Sequence, residues 1–233
     1  MAVTGRRQEN LDEAARTALD LHGATLLPIV AHTGDGDARG RAVDTVLAEP
    51  GRLDILVFNT GINPVRNASL MQTPLSAFQR MLETNVIAAL GYAQLVWQAW
   101  MADHGGSIVL MSTVGASGSF RLGAYSATKA ALAKLTTDLA DQLAPGVRVN
   151  AVAPAFSDTA FADAVISIPR DQVAASYPMA RMGMPGDVAA EVAYLVSPSA
   201  GWITGVTLPV DGGKSIATVT HDRPHPAVGQ QVH

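Results

Sequence analysis

The chain contains no cysteine. That absence removes disulfides, thiolate-bound zinc, iron–sulfur ligation and a cysteine nucleophile together. Charged residues are scarce at 15%, and the net charge is only −4. No cluster of Lys and Arg is present, so nothing points to nucleic acid. Aromatic residues make up 5% of a chain that is 48% hydrophobic. Small apolar side chains therefore carry the core, which suits close helix-on-strand packing better than an all-β sandwich. A composition this apolar and this weakly charged does not belong to a disordered chain.

Long hydrophobic runs are missing as well. The longest, Val86 to Ala102, includes Gln94 and Gln98 and is short for a membrane span. The opening residues, Met1-Ala2-Val3-Thr4-Gly5-Arg6-Arg7, turn polar before a signal-peptide core can form. The expectation is a cytoplasmic chain without membrane association. Asn67-Ala68-Ser69 fits a glycosylation sequon, but in such a chain it reads as a chance match in a loop.

What is present is an alternation of short apolar runs and longer amphipathic segments. Apolar runs at 2–4, 25–31, 53–58, 107–111, 147–153 and 206–210 predict strands. Segments at 9–21, 37–47, 73–102, 123–143 and 185–195 predict helices, with Thr73 as the cap of the third and Pro74 in its first turn. Single helices between strands imply right-handed crossovers and a parallel sheet covered on both faces. Runs without polar alternation imply buried strands. The fold class is α/β, a doubly wound parallel sheet. At 233 residues, one domain over 1–213 is expected, with 214–233 as a tail.

In such sheets the ligand site lies at the carboxyl ends of the strands. Polar residues break the apolar pattern at four such places. They are Asn59-Thr60-Gly61, Asn85 within the long helix, Ser112-Thr113, and Tyr125 with Lys129. Residues at i and i+4 share a helix face, so Tyr125 and Lys129 are neighbours. An ammonium beside a phenol favours the phenolate and lowers the tyrosine pKa from about 10 towards working pH. A hydroxyl from Ser112 or Thr113 can hold a carbonyl oxygen beside that phenol. Asn85 can orient Lys129 directly or through water.

These residues resemble the short-chain dehydrogenase/reductase family. The likeness runs from residue 2 to about 213. It rests on Asn59-Thr60-Gly61, Thr84-Asn85-Val86, Ser112/Thr113, Tyr125-Ser126-Ala127-Thr128-Lys129, Arg148-Val149-Asn150-Ala151-Val152-Ala153-Pro154, Ile203-Thr204-Gly205 and Val210-Asp211-Gly212-Gly213. The resemblance implies a Rossmann-type fold and NAD(P)-dependent interconversion of alcohols and carbonyl compounds. It implies Tyr125 as proton donor or acceptor and Lys129 as a ligand of the nicotinamide ribose. Ser112 or Thr113 would polarise the carbonyl, and Asn85 would anchor a water relay. Asn59, Gly61, Pro154, Ser157 and Thr159 would line the cofactor. His32 stands where many members carry an adenine-contacting aspartate.

Several positions depart from the family pattern. The glycine-rich pyrophosphate turn is not found, and the likeness begins at the family's second strand. About 30 residues, a βα(β) portion including the usual first strand and first helix, would precede it. Gly34, Gly36 and Gly40 follow a strand, but their spacing is wrong and Asp35 and Asp37 would repel phosphate. Counting back 13 residues from Tyr125 gives Ser112, whereas aligning forward from Gly105-Gly106 gives Thr113. Tyrosine spacing is the more direct constraint and favours Ser112. Thr60 and Ala155 replace the family's alanine and glycine. The acidic residue that selects NAD is replaced by Gly5-Arg6-Arg7, so NADP is favoured.

The leading expectation is an NADP(H)-dependent reductase for an apolar carbonyl substrate. Phe156, Phe161, Val165, Ile166 and Met179 would form its wall. The alternative is a non-catalytic scaffold that pairs with relatives through its long helices, and a start point placed downstream of the natural one is a third reading. No metal is expected, because His221 and His225 lack a third ligand. Asp158 and Asp163 read as solvated. Trp97 and Trp100 read either as core or as part of a helix-to-helix interface. The resemblance implies a homo-oligomer, dimer or tetramer.

Overall fold

The computed structural model describes residues 1–65, 69–120, 122–159 and 169–217. Strand β1 (Ala2–Gly5) pairs in parallel with β2 (Leu27–Val30). Helix α1 (Gln8–His22) connects them and ends at Gly23, whose φ of 62° frees its N–H to bond back to the Ala18 and Leu19 carbonyls. Leu11 is buried against Gly5, where a Cβ would come 2.9 Å from the leucine side chain. Helix α2 (Gly36–Ala48) follows.

A second parallel sheet has the order β3 (Ile55–Phe58), β4 (Gly106–Met111), β5 (Val147–Pro154) and β6 (Thr207–Val210). It shares no hydrogen-bond ladder with β1–β2. The two halves are joined instead by packing. Val43 and Leu47 of α2 enter the same core as Phe58 and helix α4 (Ala88–Val96).

The segment expected as one helix over 73–102 is divided. Thr73 does not cap it; its hydroxyl donates backward to the Ser69 carbonyl at 3.0 Å, and Pro74 takes the N-cap. Helix α3 (Leu75–Leu82), α4 and α5 (Ala102–His104) are separated by π turns at Glu83–Ile87 and Trp97–Met101. Helix α6 (Ala124–Leu143) has Gly123, at φ 57°, as its N-cap. Within the lobe expected to be irregular lies a short helix, α7 (Arg170–Ala175), followed by α8 (Pro185–Val196).

Strands β4 and β5 are buried on both faces, as their unbroken apolar runs require. Ile108, Leu110, Val149 and Ala151 meet α4 and Leu132 of α6, while Val109 and Val152 meet Leu195 of α8. Burial of two other runs, β2 and β3, is not as expected. Val30 ends β2 in the open, and in β3 Ile55 and Val57 are 47% and 42% exposed. Leu56 and Phe58 join the α4 core, so β3 is covered on one face only, and alternate residues point outward.

The Arg148-Val149-Asn150 segment stabilises the fold. Arg148 donates to the carbonyls of Leu195, Ile203 and Ser197. Asn150 is fully buried, donates to the Ile203 carbonyl at 3.0 Å and accepts from the Val206 N–H at 3.3 Å. Asn150→Leu leaves the Val206 N–H unpaired and the Ile203 carbonyl with Arg148 alone, and should lower unfolding free energy by roughly 2 kcal/mol. Urea denaturation measures this, and an unchanged midpoint would contradict the assignment.

Candidate active site

Because β3, β4 and β5 are parallel and adjacent, they end along one edge. The chain leaves them at Asn59-Thr60-Gly61, Ser112-Thr113 and Pro154 respectively. Helix α6 packs on β4 and β5 and brings Tyr125 and Lys129 to that edge.

Lys129 is 1% exposed, and its Nζ donates to the Met111 carbonyl at 2.7 Å. Burial lowers its pKa to about 8. Tyr125 lies one turn earlier, with Nζ 5.7 Å from its ring centroid. Burial pushes the phenol up to about 12, opposite to the shift expected from the lysine. The physical reason is twofold. The phenolate loses hydration on burial, and the lysine discharges near pH 8, well before the tyrosine titrates. At neutral pH the pair is therefore an ammonium beside a protonated phenol, which is a proton donor.

Asn85 is fully buried in the first π turn. Its Oδ1 accepts from the Ile62 N–H at 2.8 Å, and its Nδ2 donates to the Ile62 carbonyl and to Thr128 Oγ1, both at 3.0 Å. Its bonds thus run to the turn after β3 and to α6, rather than to Lys129. Gly61 packs closely against the lysine at this turn. A Cβ there would lie 3.0 Å from Lys129 Nζ.

The two candidate hydroxyls have different partners. Ser112 Oγ, buried, donates to the Lys129 carbonyl at 2.9 Å. Thr113 Oγ1 donates to the Pro154 carbonyl at 3.1 Å, linking the ends of β4 and β5. The structure thus brings together Gly61, Asn85, Ser112, Thr113, Tyr125, Lys129 and Pro154.

The remaining expected site residues are more dispersed. Arg6 and Arg7 are exposed at the end of β1. His32 is exposed after β2 and accepts from the Gly34 N–H at 3.1 Å. Asn59 is exposed at the rim. Thr159 donates to the Ser157 carbonyl at 3.3 Å. Asp35 caps α2 by accepting from the Asp37 and Ala38 N–H groups, which hold its carboxyl below the usual range. That helix start is therefore already occupied by a carboxylate. Asp158 is not merely solvated, because it pairs with Arg170. Phe156 packs with Val173, Tyr177 and Met182, and Met179 is exposed. Trp100 belongs to the core and stacks on His104, whereas Trp97 is 39% exposed. Phe161, Asp163, Val165, Ile166, His221, His225 and the start of the sequon lie outside the described residues. Sequence reasoning gave no role to Ile62 or Thr128, whose contacts cross 23 and 43 residues of chain and leave no local periodicity.

The nicotinamide end of a dinucleotide fits this site. An ammonium has three N–H donors, and among the described residues the Met111 carbonyl takes one from Lys129. The others suit the hydroxyls of a ribose. The glycine-bearing strand-to-helix turn between β2 and α2, with Gly34 and Gly36, has its helix start capped by the Asp35 carboxylate.

An open parallel sheet with a buried lysine and a tyrosine at its carboxyl edge defines a dinucleotide-dependent dehydrogenase type. A family model described as Enoyl-(Acyl carrier protein) reductase matches residues 1–215. Tropinone reductase-like 3 of Erythroxylum coca is 35% identical over 216 residues, 91% of this chain and 82% of that protein. Dehydrogenase/reductase SDR family member 4 of Bos taurus is 35% identical over 217 residues, 91% and 77% of the two chains. The crystal structure of a gluconate 5-dehydrogenase from Burkholderia cenocepacia, in complex with NADP and tartrate, aligns with a TM-score of 0.84. Its identity is 26%, covering 93% of this chain and 86% of that one. The chain belongs to the short-chain dehydrogenase/reductase family. It is an NAD(P)-dependent oxidoreductase acting on CH–OH groups. No helix among the described residues is long and apolar enough to cross a membrane.

Burial of Lys129 has a pH signature. Between about 8 and 10.5 the unfolded chain binds a proton that the folded chain has lost, so stability rises with pH across that window. Below about 8 the full penalty, about 3 kcal/mol, is present. Tyr125 acts the other way between about 10 and 12, where only the folded chain keeps its proton. Lys129→Met should be more stable than the parent near neutral pH and lack the rise above pH 8. Denaturant titrations of both chains at a series of pH values test this, and parallel profiles would refute it.

Proposed function

We propose that the chain interconverts an apolar ketone or aldehyde and its alcohol, using NADP(H). The observation that carries the reading is the Tyr125 ring 5.7 Å from the buried Lys129 nitrogen at the carboxyl edge of the sheet. When bound, the nicotinamide supplies or accepts the hydride. In reduction, Tyr125 Oη gives its proton to the substrate oxygen; in oxidation it takes that proton back. The Lys129 charge stabilises the phenolate left behind, and its remaining N–H groups hold the nicotinamide ribose. Asn85 keeps the turn after β3 in place.

For the hydroxyl that polarises the carbonyl we favour Thr113 over Ser112. Both hydroxyls donate to a backbone carbonyl, but Ser112 does so at Lys129, inside the packing of α6 against β4. Thr113 bonds at Pro154, the end of the next strand. Asn59, Gly61, Pro154, Ser157 and Thr159 would line the cofactor, with His32 at the adenine. Arg6 and Arg7 offer guanidinium groups for a 2′-phosphate, and the similar gluconate 5-dehydrogenase was solved with NADP. Phe156 and Met179 favour an apolar substrate. A cytoplasmic homo-oligomer, dimer or tetramer, completes the reading.

A second reading, a non-catalytic partner of related chains, is favoured by one observation. The β1–β2 and β3–β6 ladders are separate. Titration with NADPH, followed by nicotinamide fluorescence, separates the two. Saturable binding is expected, and none at millimolar NADPH would favour the partner role. Tyr125→Phe should lower turnover of a ketone panel by roughly 10³-fold while the melting temperature holds. A fully active Tyr125→Phe chain would sink the catalytic reading.

A further inference from the structure

We infer that Thr128 is a positioning residue: its hydroxyl orients Asn85, which holds the Gly61–Ile62 turn against Lys129. The inference rests on the proposed roles of Tyr125 and Lys129. Thr128 is fully buried within α6, next to Lys129. Its Oγ1 donates to the Tyr125 carbonyl at 2.8 Å. A hydroxyl has one proton, and this one is committed to the helix backbone. Only lone pairs are left to face Asn85, and they accept from Nδ2 at 3.0 Å.

That contact settles which way the Asn85 amide points. Were the amide reversed, its oxygen would face the Thr128 lone pairs, and both bonds to Ile62 would be lost as well. In the observed orientation Oδ1 takes the Ile62 N–H and Nδ2 takes the Ile62 carbonyl. Asn85 therefore grips Ile62 at both backbone groups, as a neighbouring strand would. Gly61 is the next residue, and it sits so close to Lys129 Nζ that a Cβ would come within 3.0 Å. The connection runs from Thr128 through Asn85 and the turn to the lysine nitrogen. Asn85 reaches both partners from a π turn, a helix distortion often found at functional sites.

The chemical consequence is specific. Without the Thr128 hydroxyl, Asn85 keeps both bonds to Ile62 but loses its third contact, the one that ties it to α6. The turn can then draw back from Lys129, and the lysine is no longer held in one place beside Tyr125. Proton transfer suffers, and NADPH binding weakens with it, because Lys129 and Gly61 are also proposed to hold the cofactor; binding of the ketone does not depend on this contact.

The test uses three variants of the full chain. Thr128→Val keeps the shape and removes the hydroxyl. Thr128→Ala removes it without crowding the helix. Thr128→Ser keeps it. For both hydroxyl-free variants we expect kcat for ketone reduction to fall about tenfold, the loss set by one misplaced buried hydrogen bond. That fall is measured at saturating NADPH; KM for the ketone and the melting temperature should stay near parental values, while NADPH affinity by fluorescence weakens modestly. Thr128→Ser should restore most of kcat. Parental kcat in Thr128→Val and Thr128→Ala would overturn the inference. So would a fall in kcat that vanishes at saturating NADPH, or one matched by a lower melting temperature. Failure of both to fold while Thr128→Ser folds would also overturn it, by placing the hydroxyl in the fold alone. Tyr125→Phe run beside them separates the two layers. If it is inactive while the Thr128 variants are unaffected, only the positioning role fails; if it is fully active, the underlying reading fails first.

Discussion

The ammonium of Lys129 is kept out of water on one backbone carbonyl, that of Met111, and much of the candidate site is arranged around that contact. Burying a charged amine is costly, so the surroundings must offer it donor-accepting atoms at close range. The end of β4 does so at both ends of the residue. Met111 receives the Nζ proton, and Ser112 donates to the carbonyl of Lys129 itself. Neither bond survives a slip of α6 along the sheet. Gly61 belongs to the same constraint, because any side chain there would displace the nitrogen. A serine that looks catalytic by spacing is thereby drawn into holding the lysine's backbone.

The split of the sheet divides the molecule into two halves with different support. The half that carries Tyr125 and Lys129 has a strand pair, β4–β5, covered on both faces. The half that carries Arg6, Arg7 and His32 has two strands and joins the first through α2. There Arg39 lies over Gly91 of α4, where a Cβ would come 3.1 Å from the guanidinium, and it also donates to the Thr33 carbonyl. A weak contact, Thr33 Oγ1 to Thr60 Oγ1 at 3.4 Å, joins the loops after β2 and β3. Side-chain packing rather than a continuous backbone ladder sets the distance between the two halves. The exposure of Ile55 and Val57 has a related origin, since helices cover β3 on one face only.

Much of this was legible in the chain. The strands and main helices fall close to where apolar runs and turn residues place them, because hydrophobic period and punctuation are local properties. Tyr125, Lys129 and Asn85 stood out as polar residues at apolar positions near strand ends, and all three meet at one edge. Other features were not legible. The hydroxyl of Thr73 could not be known to turn back to Ser69, and nothing in residues 74–102 announces two π turns. The direction of the Tyr125 shift was misjudged because spacing reveals the neighbouring lysine but not the loss of water around both groups.

By itself the sequence determined the α/β class, the order of elements, and the presence of a tyrosine and a lysine on one face of a helix, all of which follow from short-range periodicity and residue chemistry. Only the tertiary structure decided that Ser112 serves the lysine backbone, that Asn85 clamps Ile62, and that Thr128 meets Asn85 across 43 residues. It also decided that burial sets the direction of the Tyr125 shift. These are matters of distance and hydration, and both arise when segments remote in sequence exclude water from the same place.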